Sequence, residues 1–91
     1  MAGFRLTKHY TMSRDELREA AEGLAAQLER QHGVRSSWNG DTVRITGSGV
    51  DGELSIHGDV VDVSVRLGLL ASAFKPVLQA EVQRYLDEHI S

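Results

Sequence analysis

The stretch GSGVDGELSIHGDVVDVSVRLGLLASAFKPVLQAEVQRYL, residues 47–86, decides the fold. Its first half alternates apolar and polar side chains every second residue, as half-buried strands do, and its second half repeats them at the spacing of an amphipathic helix. A wrong hairpin register would send every apolar side chain to water, so the strands test one another. With Ser48-Gly49 as a two-residue loop, Val43 stands opposite Leu54, Ile45 opposite Gly52 and Arg44 opposite Glu53. With Gly58-Asp59 as the next loop, Ile56 meets Val61 and Leu54 meets Val63, while Ser55 and Asp62 share the other face. All apolar pairs fall on one side, where Gly52 is expected to make room for a helix side chain. Val60–Leu67 then turns Val61, Val63, Val65 and Leu67 inward until Gly68 breaks the alternation. A helix is expected from Leu70 or Ser72 to His89, with Pro76 tolerated near its first turn and Phe74, Leu78, Val82, Tyr85 and Leu86 on its apolar face.

Working outward, Asn39-Gly40 signals another hairpin, but a two-residue loop there would set Arg35 against Arg44. A four-residue loop from Asn39 to Thr42 pairs Trp38 with Val43 instead and is the expected form. Phe4, Leu6, Tyr10 and Met12 share one parity near the start of the chain, which gives a first strand whose apolar face only Lys8 interrupts. Ser13 and Glu16 form a capping box, with Met12 and Leu17 at the staple positions. From Arg14 to His32 the stripe Leu17, Ala21, Leu24, Leu28 predicts a helix, and Gly33 supplies its left-handed end. The order is β-α-β-β-β-β-α. One antiparallel five-stranded sheet in the order 1-5-4-3-2, with both helices on its apolar face, satisfies every pairing. The fold class is α+β, a single domain over residues 1–91, and its layout resembles a miniature of the helix-grip arrangement of START and Bet v 1 proteins.

Composition narrows the function classes. A chain of 91 residues buries only about 60 to 65% of its unfolded surface, so its stability margin is thin. Ten basic residues scattered singly, with a net charge of -3, argue against nucleic acid as a partner. The absence of cysteine excludes disulfides and thiolate chemistry. The longest apolar run, residues 68–74, is too short for a membrane span, and the opening MAGFRLTKHY does not read as a secretory signal, so a cytoplasmic location is expected.

Chemistry-bearing residues are few. Ser55, His57, Asp59 and Asp62 come nearest to a hydrolytic set, but they fall on the solvent face of the sheet with no wall to exclude water, and Asp59 is ordinary turn chemistry. His9, His32, His57 and His89 are too far apart for a local metal motif, and His32 and His89 suit helix C-termini. GSGVDG lacks the lysine and the strand-loop-helix setting of a phosphate loop. No catalytic, cofactor or metal residue is therefore assigned. The segment LGLLASAF differs: Leu69 and Leu70 are adjacent and cannot both point inward, so one is expected at the surface. That is either a hydrophobic lead-in to the helix or, with Trp38 at a hairpin end, a candidate interaction patch of Trp38, Leu69 and Leu70.

SGVDGELSI followed by VRLGLLASAFKPVLQAEV resembles the small bacterial polyhydroxyalkanoic acid system proteins, found in regions devoted to storage-polyester granules. The likeness extends from the opening strand, where the family also tends to show a histidine at the place of His9, to the closing LGLLASAFKPVLQAEVQRYLDEHI. It implies a bacterial storage-granule neighbourhood, a small soluble α+β protein and no catalytic residues to carry over; the leading expectation is a noncatalytic accessory or interaction protein, with a granule surface or granule-associated protein as partner and no cofactor. The chain lacks the long amphipathic helices and heptads of granule-coating phasins. Small size and open sheet edges add the expectation of a homodimer. Two other classes stay open: a binder of acyl or hydroxyacyl groups with a cavity between sheet and helices, and a hydrolase using Ser55, His57 and Asp62.

Overall fold

A computed structural model describes residues 2–91. Strands β1 (Ala2–His9), β2 (Arg35–Asn39), β3 (Thr42–Gly47), β4 (Val50–His57) and β5 (Val60–Leu67) form one antiparallel sheet in the order β1-β5-β4-β3-β2. Helix α1 (Arg14–His32) connects β1 to β2, and α2 (Lys75–His89) closes the chain. The register is the one the alternation requires: Val43 opposite Leu54, Ile45 opposite Gly52, Leu54 opposite Val63 and Ile56 opposite Val61. Ser48 and Gly49 both take positive φ, 52° and 79°, the twist that a two-residue hairpin loop needs. At the β2-β3 turn Trp38 does face Val43, but Asn39 and Thr42 also pair, so the loop tightens to Gly40-Asp41.

Helix α1 starts where the sequence says it should. The Glu16 N–H donates to Ser13 Oγ at 3.2 Å and the Ser13 N–H donates to Glu16 Oε1 at 3.3 Å. Gly33 ends the helix at φ 68°, its N–H bonded to the Glu29 carbonyl. Leu17, Ala21, Leu24 and Leu28 from α1 and Leu78, Val82 and Leu86 from α2 join the inward residues of β3, β4 and β5 in one buried cluster. Each large member withdrawn from water contributes roughly 1.5–3 kcal/mol.

Lys8, the cation on the apolar parity of β1, reaches past the end of that cluster to Asp87 of α2 at 3.2 Å. A charged side chain on the inner face of an edge strand also discourages a further strand from adding there.

The antiparallel order gives the molecule two distinct ends along its 37 Å length. At one, here the apex, lie the Ser48-Gly49 turn, the end of β5 and the start of α2; at the other, the base, lie the Gly40-Asp41 and Gly58-Asp59 turns and the chain end.

Candidate functional site

The apex is built by the exit from β5. Gly68 donates its N–H to the Gly49 carbonyl at 2.8 Å, the Ala71 N–H donates to the Gly68 carbonyl at 3.1 Å, and Ser72 Oγ donates to the Leu69 carbonyl at 2.8 Å. A 3₁₀ turn, Ala71–Phe74, then leads into α2. Pinned at both ends, this bend holds Leu69 and Leu70 outward, 90% and 91% exposed, where only one of them was expected at the surface.

Phe74 also departs from expectation. It stands 62% exposed, beside Val77 at 63%, instead of lying in the core with Leu78 and Val82. Phe74 is the N-cap residue of α2, with φ -90° and ψ 1° outside the α-helical range, and so stands off the row of Leu78 and Val82, while Ala71 at the other end of the 3₁₀ turn is buried. Leu69, Leu70, Phe74 and Val77 are thus exposed within nine residues of chain at the apex. Phe74 and Val77 extend the exposed apolar stretch beyond Leu69 and Leu70.

Trp38 lies elsewhere. It is half-buried on the row of Val43, Leu54 and Val63, with the Arg18 guanidinium 4.3 Å from its ring centroid. Four residues of β5 separate Val63 from Leu67, about 13 Å, and three strand spacings separate β2 from β5, about 14 Å. Trp38 therefore does not form one surface with Leu69 and Leu70.

The hydrolytic set is not wired together. Ser55 is buried, not solvent-facing as expected, because its small side chain on a central strand sits beneath Thr42, with which it shares a 3.2 Å hydrogen bond, and Glu53, whose Oε1 accepts from it at 3.4 Å. Arg5 holds Asp62, its Nε donating to Oδ1 at 2.9 Å. That hydrogen-bonded guanidinium draws the Asp62 carboxyl below the usual carboxylate range, outweighing the opposing effect of burial, with the charges of Arg5 and His57 adding to it. His57 is exposed and bonds to neither Ser55 nor Asp62 among the described residues.

The other histidines are dispersed. His9 Nδ1 stands 3.8 Å from Asp59 Oδ2 at the base, both exposed. His32, in the last turn of α1, places Nε2 2.9 Å from Glu81 Oε2 and so also ties α1 to α2. His89 stacks on Tyr85 with ring centroids 4.2 Å apart, and burial pushes the Tyr85 hydroxyl's pKa up. Among the described residues no group of three or more His, Asp or Glu side chains could hold a metal ion.

Between the sheet and the helices lies an apolar cavity of about 30 Å³, bordered by Leu24, Leu28, Ile45, Gly52, Leu78 and Val82. A Cβ at Gly52 would meet Val65 Cγ2 at 3.5 Å, Ser64 O at 3.7 Å and Ile45 O at 3.8 Å, so the glycine adjoins this void and does not accommodate a helix side chain as expected. Among the described residues no helix is long and apolar enough to cross a membrane.

A family model described as "Putative polyhydroxyalkanoic acid system protein" matches residues 5–90, nearly the whole chain and all of the apex. The chain belongs to that family. No curated protein and no solved structure matches it. For this polyhydroxyalkanoic acid system protein, fold and family therefore stand on the chain's own register and on the family match, and the exposed apex lies within the matched region.

Proposed function

We propose that this protein is a noncatalytic interaction protein of polyhydroxyalkanoate storage, working in the cytoplasm and docking on the granule surface through its apex. The carrying observation is that Leu69, Leu70, Phe74 and Val77 are all exposed within nine residues at the apex, the two leucines on a bend fixed by hydrogen bonds. A single exposed leucine on a monomer is ordinary, whereas four large apolar side chains grouped on one end suit an interaction site. The family description supplies the setting.

The acyl-binding alternative is less favoured, because a 30 Å³ void has room for little more than a water molecule or two. The hydrolase alternative suffers from Ser55 and Asp62 being engaged by Thr42, Glu53 and Arg5. The homodimer belongs to the reading as a pairing across β2, the edge strand without an inward lysine; it leaves the apex free, and sedimentation velocity at high concentration tests it.

Co-sedimentation with purified polyester granules tests the docking itself. Wild type is expected in the pellet and Leu69→Glu with Leu70→Glu in the supernatant, while Trp38→Ala, at a separate place, pellets like wild type. Equal pelleting of all three forms would refute the apex as the docking surface.

A further inference from the structure

Charge is segregated along the molecule. Residues 63–80 contain two cations, Arg66 and Lys75, and no carboxylate, in a chain that carries 13 acidic residues. The apex row of the sheet sets Arg35, Thr46, Asp51, Arg66 and Gly3 side by side, and its carboxylate, Asp51, is shared between Arg44 at 3.5 Å and Arg66 at 3.8 Å. Toward the base stand Asp15, Glu16, Asp41, Asp59, Asp87 and Glu88, all exposed, with Lys8 and Arg14 paired to Asp87 and Asp41. An acidic protein thus presents its apolar patch beside Arg66 and Lys75, with Asp51 and Glu29 also toward that end.

Resting on the reading of the apex as a docking surface, we propose that its partner is a lipid surface bearing negative headgroups. Leu69, Leu70, Phe74 and Val77 insert among the acyl chains, and Arg66 and Lys75 lie at the level of the headgroups. An apolar face rimmed by Lys and Arg is the pattern of proteins that lie in an interface without crossing it. Lys75 is suited to this place: it is half-buried at the first residue of α2, and a lysine there can cover apolar surface with its stem while its ammonium stays in water.

A second copy of the chain fits the apex less well. Two apices brought together would oppose Arg66 and Lys75 of each copy with no carboxylate in residues 63–80 to pair them. Four exposed large side chains also fall short of the roughly 800 Å² a side that a standard protein interface buries. Shallow insertion into lipid needs no such area.

Vesicle flotation tests the proposal with phosphatidylcholine vesicles, alone or containing phosphatidylglycerol, and with bare polyester particles in parallel. Wild type is expected to float with the phosphatidylglycerol vesicles and to be released by salt. Leu69→Glu with Leu70→Glu should lose about 100-fold or more in binding, from the apolar contacts alone. Lys75→Glu should lose about 30-fold, because a cation near an anionic surface becomes an anion there. Both changes suit the fold, since the leucines are exposed and an acid at the first residue of α2 favours the helix, and far-UV circular dichroism checks it. Glu88→Lys, at the base, should change binding by no more than about twofold, since the 37 Å molecule is several times longer than the Debye length of about 8 Å.

Binding that is indifferent to phosphatidylglycerol, or equal losses at Lys75 and Glu88, would overturn the proposal. Binding to bare polyester without vesicle binding would overturn it and leave the docking reading standing. Binding to native granules alone, lost after proteolysis of their coat, would overturn it in favour of a protein partner, and binding to none of these would overturn both readings.

Discussion

Gly23 and Tyr85 offer the sharpest test of how the two helices meet. Gly23 lies inside α1, where glycine costs about 0.8–1.0 kcal/mol relative to alanine. Its place is explained by α2: a Cβ there would collide with the Tyr85 hydroxyl, which donates to the Ala20 carbonyl at 2.8 Å, whereas the nearest ring carbon, Cζ, would stand at a comfortable 3.7 Å. Gly23→Ala should therefore change sign with the residue at position 85. In a Tyr85→Phe background the hydroxyl is gone, and the alanine should stabilise by about 1 kcal/mol. In the wild type it must displace the hydroxyl, losing a hydrogen bond of about 0.5–1.5 kcal/mol and forcing the stacked ring off its rotamer for a similar amount. The net is a loss of about 1 kcal/mol, and the coupling between the two positions is about 2 kcal/mol. Equilibrium urea unfolding of the four forms, at constant slope, measures both; in melting temperature each 1 kcal/mol corresponds to about 4–8 °C for a domain of this size. Stabilisation of equal size in both backgrounds would refute the packing of Tyr85 on α1.

Two further outcomes follow from the sheet. Gly52→Ala should stabilise by about 0.4–1 kcal/mol in urea titrations, since the glycine has ordinary backbone and its Cβ would enter a void at van der Waals distances; an acyl-binding protein would instead lose ligand on the same change. Arg5→Gln should flatten the acid limb of the stability curve. Asp62 has a folded pKa below its unfolded value, so the unfolded chain binds more protons across that interval; the contribution is present above the ordinary carboxylate range and is lost as pH falls below about 4 toward the depressed value. An acid limb unchanged by Arg5→Gln would show that the pair does not act in solution.

The β3-β4 and β4-β5 hairpins and α1 were legible because each is set by local chemistry: two-residue turns, strict alternation, a capping box and a terminal glycine. Leu69 and Leu70 were legible as a conflict, since adjacent residues cannot share one face. Phe74 was not, because the residue at which α2 begins decides whether Phe74 joins the row of Leu78 and Val82, and residues 70–76 give no side-chain cap to fix it. The burial of Ser55 comes from neighbours on other strands as well as its own, and the His32 to Glu81 contact joins helices 49 residues apart, which no local pattern encodes. The charge segregation was present in the sequence all along, but it becomes a surface only once the strand order assigns each residue to an end.

Because the chain has no cysteine, a single introduced thiol reports from a chosen place without competition. Leu69→Cys at the apex and Asp59→Cys at the base, each carrying a polarity-sensitive fluorophore, test most directly which end meets the granule. On addition of purified polyester granules, the expected result is a blue shift for the apical label and none for the basal one. A shift at Asp59 with none at Leu69, or at neither while the protein pellets with granules, would contradict docking through the apex.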